Sequence, residues 1–240
     1  MLENKTIVVF GGSGRLGSDL VPLLKNAGAN VICPSHSEVD VAVSKGVWDV
    51  ISQNRPDIVL NLAAYTDVAG AETHTGKWEA VRVNMQGSQL VCQTAHEFGS
   101  KVVYISTDYV YPGTKGPYRI EDADPQNNYG LTKFLGESYC DKKSDLIIRT
   151  SLKSRDTWSE NTFTKVFHPV LTNADWVDVI AKKIAEAIVE EKVGIINLGT
   201  EPKTLLSLAM SQYPEVEAVS PDDVDLPYIY PKDCSMVLDE

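Results

Sequence analysis

Short apolar runs alternate with longer amphipathic segments along most of the chain. Runs that are rich in Val and Ile and apolar at nearly every position are typical of parallel strands buried on both faces. Such runs predict strands over residues 6–10, 30–33, 57–61, 101–105, 145–149 and 194–198. The intervening segments predict a helix after the first strand and others over residues 43–53, 77–98, 129–140 and 174–191. We therefore expect an α/β fold with a doubly wound, Rossmann-type parallel sheet.

The first predicted strand runs directly into a glycine-rich turn. Gly11, Gly14 and Gly17 have the spacing Gly-x-x-Gly-x-x-Gly, and the first predicted helix follows at once. Glycines let the backbone come close to a pyrophosphate, and the free N–H groups of a helix N-terminus favour an anion. A glycine pattern alone is weak evidence, so a tight turn without a ligand is the alternative. The position between a strand and a helix favours dinucleotide binding.

A candidate proton donor lies in the fourth of these helices. Tyr129 and Lys133 are four residues apart, so their side chains share one helix face. A nearby ammonium favours a charged phenol, and we expect it to lower the pKa of Tyr129 from about 10. Ser106 and Thr107 follow the fourth strand, where a hydroxyl can reach the same space. Taken singly, the pair also fits a solvated helix face, and the hydroxyls also fit a turn or helix cap.

The ends of the second and third strands carry weaker signals. Ala63 and Ala64 leave room for a flat nicotinamide or ribose, although tight helix packing explains them equally well. The second strand ends in 33–37 without an acidic residue, the usual partner of the ribose 2′-hydroxyl in NAD-binding sites. Serine hydroxyls, His36 and Arg15 can instead accommodate a 2′-phosphate. NADP(H) is therefore favoured over NAD(H).

Composition excludes several classes of function. The 240 residues are 43% apolar and 23% charged, which is ordinary for a globular enzyme. No apolar stretch is long enough for a membrane span and no leader is visible, so we expect a cytoplasmic protein without a membrane partner. A net charge of −11 argues against nucleic acid. The four cysteines lack metal-ligand spacing, and no metal is predicted. Assembly as a homo-oligomer is left open.

Taken together, these motifs resemble the extended short-chain dehydrogenase/reductase superfamily, and most closely its dTDP-4-dehydrorhamnose reductase family. The resemblance covers most of the chain in order. The matching segments are 14–17 (GRLG), 61–68 (NLAAYTDV), 71–72 (AE), 83–84 (VN), 106–113 (STDYVYPG), 117–118 (PY), 121–122 (ED), Pro125, 129–133 (YGLTK), 136–137 (GE), 149–151 (RTS) and 231–239 (PKDCSMVLD).

The resemblance implies an NAD(P)H-dependent reduction of the C4 keto group of a nucleotide-linked 6-deoxyhexose, as in dTDP-rhamnose biosynthesis. It implies that Tyr129 donates the proton, that Lys133 lowers the pKa of Tyr129 and holds the nicotinamide ribose, and that Thr107 hydrogen-bonds the carbonyl oxygen. Carried over by position, the remaining residues are Gly11, Gly14, Arg15 and Leu16 at the pyrophosphate, Asp40 and Val41 at the adenine, Ala63, Ala64 and Tyr65 along the cofactor, and Asp108 and Tyr109 at the sugar.

The second half of the chain departs most from the family pattern. Leu152 stands where the family usually has Trp, and the irregular stretch 153–172 is shorter than in the family. We expect residues 1–150 to form the NAD(P)-binding Rossmann domain. Residues 151–240 would form a small, shortened substrate-binding portion whose strand and helix return to the main fold.

Two alternative functions follow from these departures. One is a sugar-nucleotide epimerase or dehydratase of the same superfamily, although a dehydratase needs an additional acid and base, and no Glu follows Asp108. The other is a non-catalytic, cofactor-binding regulatory subunit. The intact set of Thr107, Tyr129 and Lys133 argues against this second alternative.

Overall fold

A computed structural model describes residues 1–158 and 163–239. The strands in this part of the chain are β1 Thr6–Phe10, β2 Asn30–Ile32, β3 Ile58–Asn61, β4 Lys101–Thr107, β5 Leu146–Thr150, β6 Leu152–Lys153, β7 Lys165–Phe167, β8 Leu171–Thr172, β9 Asp175–Trp176, β10 Gly194–Asn197, β11 Lys203–Thr204 and β12 Glu217–Val219. The α-helices are α1 Arg15–Asn26, α2 Ser44–Asn54, α3 His74–Ala80, α4 Ser88–Glu97, α5 Asn128–Glu137, α6 Val177–Val189 and α7 Leu205–Met210.

Six parallel strands form the central sheet in the order β10-β5-β4-β3-β1-β2. These are the six strands expected from the sequence, so the doubly wound, Rossmann-type α/β fold is confirmed. The chain leaves β1 for β2 on one side and later returns to β3 on the other side. Such a switch in strand order opens a crevice at the carboxyl ends of the two strands.

The two faces of the sheet carry separate apolar clusters because side chains alternate along each strand. Ile7 and Val9 pack on the side of α1 and α6, whereas Val8 and Phe10 pack on the side of α2 and α4. All four are at most 1% exposed. Burial of apolar side chains on both faces stabilises β1 in the sheet. The position of β1 in turn fixes the glycine turn that follows it.

Several element boundaries differ from those expected. The helix expected over 77–98 begins at His74 and is interrupted by a π-helical segment, Val81–Gly87. That segment turns the buried Asn84 toward the segment after β3, where its side chain hydrogen-bonds both the N–H and the C=O of Tyr65. The helix expected over 174–191 begins only at Val177, because residues 175 and 176 pair with β6.

The C-terminal portion builds a small core of its own. Trp158, Val166, Trp176 and Leu205 belong to this cluster, and α7 was not expected from the sequence. The stretch expected to be irregular, 153–172, includes β7, which pairs with β12, while residues 159–162 lie outside the described residues. By contrast, α6 packs on α1 and β10 pairs with β5, so both belong to the main fold. None of the described helices has the length and apolar character needed to cross a membrane.

Candidate active site

A cavity of about 730 Å³ lies at the carboxyl ends of β1, β3, β4 and β5. Its size is typical of a site for a small molecule or cofactor. Every site residue expected from the sequence lines it. They are Gly11, Gly14, Arg15, Leu16, Asp40, Val41, Ala63, Ala64, Tyr65, Thr107, Asp108, Tyr109, Tyr129 and Lys133.

The glycine turn lines the cavity at the carboxyl end of β1. Gly11 has a φ of +80°, and a Cβ atom there would lie 2.8 Å from the backbone nitrogen of Ala63. Only glycine therefore lets this turn pack against the segment after β3. Gly14 is the N-cap of α1, no side chain caps the helix, and its first turn holds no acidic residue. The free N–H groups of this turn are suited to an anion.

The end of the cavity beyond β2 carries an unforeseen cation, Arg82. Its guanidinium donates to Asp40 Oδ2 at 2.6 Å and to Glu79 Oε2 at 2.8 Å. Arg82, Glu79 and His36 all line this end. The sequence carries no local signal for Arg82, because its side chain reaches the cavity only through the π-helical segment in which it lies.

An acidic residue, Glu38, folds back onto the segment after β2. Glu38 Oε2 accepts hydrogen bonds from both the N–H and the hydroxyl of Ser35, each at 2.7 Å. The chain turns back after β2, which brings Glu38 to the residue three positions before it. The Ser35 hydroxyl is therefore committed to Glu38, and Glu38 itself does not line the cavity.

Helix α5 presents the proposed proton donor to the cavity beside the end of β4. Asn127 caps the helix by accepting a hydrogen bond from Gly130 N–H at 2.8 Å. Tyr129 and Lys133 lie on the face that lines the cavity, as their spacing predicted. The Thr107 hydroxyl, at the end of β4, interacts with the Tyr129 phenol and donates to Asp108 Oδ1 at 3.2 Å. The structure thus brings the three expected catalytic residues together.

Burial shifts the pKa of both groups on α5. It raises the pKa of Tyr129 to about 12, a rise that the hydrogen bond with Thr107 partly opposes. It lowers the pKa of Lys133 to about 7, and the Lys133 ammonium lies 4.2 Å from the ring centroid of Tyr104. The expected lowering of the Tyr129 pKa is therefore wrong for this structure. Desolvation is the largest cause, Asp108 raises the pKa of Tyr129 further, and the Lys133 ammonium is itself partly neutral at pH 7.

A buried ion pair fixes α5 against the sheet. Arg149, at the end of β5, donates from Nε to Glu137 Oε1 at 3.0 Å and from Nη2 to Glu137 Oε2 at 2.7 Å. Glu137 also accepts a hydrogen bond from the Ser106 hydroxyl. Arg149 is 2% exposed and Glu137 is 3% exposed, so solvent does not screen the pair. This two-point contact sets the position of α5, and hence of the phenol on its first turn.

The wall beyond Thr107 contains residues that sequence reasoning missed. Thr150 pairs in register with Thr107, and its buried hydroxyl has no hydrogen-bond partner. Ser151 hydrogen-bonds Asp108, and Lys153 follows in β6. Burial raises the pKa of Asp108 to about 6, against the influence of Lys153 and Ser151. Polar residues directly after a strand were the signal for Thr107, and the same signal would have found Thr150 and Ser151.

A family model, described as the RmlD substrate binding domain, matches residues 5–187. The chain belongs to this family. The resemblance to dTDP-4-dehydrorhamnose reductases within the extended short-chain dehydrogenase/reductase superfamily is thereby confirmed. A dTDP-4-dehydrorhamnose reductase of Aggregatibacter actinomycetemcomitans is 33% identical over 185 residues, which cover 74% of this chain and 61% of that protein. The chain spans about half the length of the curated relatives it matches, since the first five are covered over 43% to 61% of their length.

Solved structures of the family extend the match to nearly the whole chain. A Sulfolobus tokodaii protein described as a hypothetical dTDP-4-dehydrorhamnose reductase has a TM-score of 0.85 and 30% identity, covering 96% of this chain and 91% of that chain. The dTDP-4-dehydrorhamnose reductase of Bacillus anthracis, solved in complex with NADP, has a TM-score of 0.85. At 24% identity and with 98% of this chain and 91% of that chain covered, it shares the fold.

Proposed function

We propose that this protein reduces the C4 keto group of a nucleotide-linked 6-deoxyhexose with NAD(P)H, as in deoxysugar biosynthesis. The observation that carries the proposal is the meeting of Thr107, Tyr129 and Lys133 in the same cavity as an uncapped helix N-terminus. The names of the related reductases support the same reaction. Residues 1–150 would bind the cofactor, and residues 151–240 would contribute the substrate-binding portion.

Two features of the cavity fit a dinucleotide. The turn at Gly11 and Gly14 has no side chains that would fill the space before α1, and Arg15 lies beside it. The unpartnered hydroxyl of Thr150 needs an acceptor or donor that the protein does not supply. We infer that Gly11, Gly14, Arg15 and Leu16 hold the pyrophosphate. When bound, NAD(P)H supplies the hydride for the reduction.

The residues around the carbonyl group have separate roles in proton transfer and substrate binding. The Thr107 hydroxyl, which donates to Asp108 in this structure, turns to donate to the carbonyl oxygen, and Tyr129 gives that oxygen the proton. Because the pKa of Tyr129 is about 12, the phenol keeps its proton at neutral pH until oxyanion charge develops. Lys133, in its ammonium form, stabilises the phenolate that is left. Asp108 and Tyr109 would contact the sugar.

We propose NADP(H) rather than NAD(H) as the cofactor. Arg82 and His36 line the cavity wall beyond β2 with Asp40 and Val41, where the adenosine would lie. Two basic side chains suit a 2′-phosphate. The complex of the Bacillus anthracis relative with NADP supports the choice. Titration of the protein with NADPH and with NADH tests it, and tighter binding of NADH would contradict it.

The function is tested by supplying dTDP- and UDP-linked 4-keto-6-deoxyhexoses with NADPH or NADH and following the loss of cofactor absorbance. We expect oxidation with at least one pair and a product reduced at C4. Redox-neutral isomerisation of the sugar would indicate an epimerase. Saturable cofactor binding without oxidation for any sugar would indicate a regulatory subunit, and either result would overturn the proposal.

A further inference from the structure

Lys153 is a basic residue of the cavity wall that has no role in the proposed function. It lines the main cavity and also a recess of about 20 Å³ that continues from it into the C-terminal portion. Among the described residues, no carboxylate lies within ion-pair distance of its ammonium, and its side chain makes no hydrogen bond. Burial lowers the pKa of Lys153. A partly buried ammonium without direct partners is costly unless a ligand completes its surroundings.

Asp108 faces the same space with the opposite charge. It is 3% exposed and lines both the cavity and the recess with Lys153. Each of the two groups favours the charged form of the other, yet they are not in contact as an ion pair. The separation leaves a gap between a hydrogen-bond acceptor and a hydrogen-bond donor. The Arg15 guanidinium lowers the pKa of Lys153 further, and Cys234 lines the recess with Lys153.

The other cations on the cavity wall have different surroundings. In the described part of the chain, Arg82 is paired with carboxylates, Arg15 lies at the glycine turn, and Lys133 lies over the ring of Tyr104. Lys153 is the cation that shares the recess with Asp108. A ligand group that occupies the gap must therefore accept from an ammonium and donate to a carboxylate. A hydroxyl group does both, and a phosphate or carbonyl oxygen does not.

We propose that Lys153 and Asp108 together bind one hydroxyl group of the sugar, on the carbon next to the carbonyl carbon, and that Lys153 is a specificity-determining residue. The position follows from Thr107, because its hydroxyl, assigned to the carbonyl oxygen, lies 3.2 Å from Asp108 Oδ1. Oxygens bound by these two neighbours belong to adjacent carbons. The inference rests on the proposed function and adds Lys153 as the residue that would select sugars with a hydroxyl at C3.

The test compares two nucleotide-linked 4-keto-6-deoxyhexoses that differ only in hydroxyl or hydrogen at C3. We expect the wild-type protein to favour the 3-hydroxy sugar roughly tenfold to hundredfold in kcat/KM, the worth of a hydrogen bond to a charged group. Lys153→Met should lose this preference by slowing the 3-hydroxy sugar alone, and Lys153→Arg should keep part of it. Lys182→Met, which removes an exposed lysine of α6, is the control and should keep the full preference.

A double variant tests whether Lys153 and Asp108 act on the same hydroxyl group. Asp108→Asn should also lose the preference, and adding Lys153→Met to it should cause little further loss, because both side chains hold the same hydroxyl. If Lys153→Met slows both sugars by the same factor, or neither, the proposal is overturned. A purely structural role would lower the Tm of Lys153→Met without changing the ratio between the sugars.

A binding measurement separates this inference from the proposed function. Calorimetry with the corresponding 4-hydroxy nucleotide sugars, with and without the C3 hydroxyl, requires no hydride transfer. If no sugar oxidises NADPH, the proposed reduction fails, but a binding preference that disappears in Lys153→Met still supports the hydroxyl site. Equal binding of the two sugars by the wild-type protein overturns the hydroxyl site, whatever the outcome of the activity assay.

Discussion

Gly11→Ala and Gly99→Ala add the same methyl group at two positions with nearly the same backbone conformation. The φ angles are +80° at Gly11 and +76° at Gly99, so each alanine is strained by roughly 1–2 kcal/mol. Around Gly99 the added Cβ would meet nothing within 4 Å. At Gly11 it would lie 2.8 Å from the backbone nitrogen of Ala63 and 2.9 Å from the carbonyl carbon of Leu62. These atoms directly follow a central strand and cannot move alone.

Both variants share the strain of a positive φ. The difference in their stability therefore measures the cost of the close contact between Gly11 and the segment after β3. A forced backbone shift in a packed region costs typically about 1–3 kcal/mol. We therefore expect urea unfolding to show a loss of about 1–2 kcal/mol for Gly99→Ala and about 2–5 kcal/mol for Gly11→Ala. NADPH titration should show affinity unchanged in Gly99→Ala and weakened at least about tenfold in Gly11→Ala, since the displaced turn no longer fits a pyrophosphate. Equal stability and equal affinity of the two variants would refute this reasoning.

Further predictions concern buried polar groups. Thr150→Val removes a buried hydroxyl without a partner, so the free energy of unfolding should stay unchanged or rise by about 1 kcal/mol, while NADPH titration shows weaker binding. Glu137→Gln leaves the buried Arg149 without its counter-ion and should cost about 3–5 kcal/mol in urea unfolding. In a pH–rate profile, kcat/KM should rise through about pH 6 as Asp108 ionises and fall above about pH 7 as Lys133 loses its proton.

Each of these predictions has a control. Lys45→Met breaks an exposed ion pair with Asp49 and should lower the free energy of unfolding by less than about 0.5 kcal/mol. An equally small loss in Glu137→Gln would contradict the claim that burial makes the Arg149–Glu137 pair important. Asp108→Asn should abolish the rise near pH 6 and keep the fall near pH 7. A profile that stays flat across both values would show that neither group titrates as stated. Unchanged NADPH affinity in Thr150→Val would remove that hydroxyl from the cofactor site.

Much of the fold could be predicted because its signals are local. Alternating apolar runs predicted the six strands of the central sheet, and the glycine pattern predicted the turn between β1 and α1. Spacing on one helix was sufficient for Tyr129 and Lys133 to share a face. Strand-end hydroxyls gave Thr107 in the same way. In each case the geometry depends on a few consecutive residues.

The features that escaped prediction depend on contacts between distant segments. Arg82 reaches the cavity through a π-helical segment, and the 3.6-residue period contains no sign of such an insertion. Glu38 meets Ser35 only because the chain folds back after β2. The pKa of Tyr129 depends on how deeply α5 is buried, which its spacing from Lys133 does not reveal. The proposed role of Lys153 could not be predicted from the sequence, because it depends on Lys153 and Asp108 lining the same recess.

The central claim is that Tyr129 gives a proton to a sugar carbonyl while NAD(P)H is oxidised. The most direct measurement is the rate of NADPH oxidation with a nucleotide-linked 4-keto sugar in Tyr129→Phe, together with NADPH affinity. Tyr139→Phe, which changes a tyrosine just beyond the same helix and outside the cavity wall, is the matched control. We predict a loss of roughly 10²–10⁴-fold in rate for Tyr129→Phe, with cofactor affinity retained and the control unaffected. A Tyr129→Phe variant that oxidises NADPH at the wild-type rate would contradict the account.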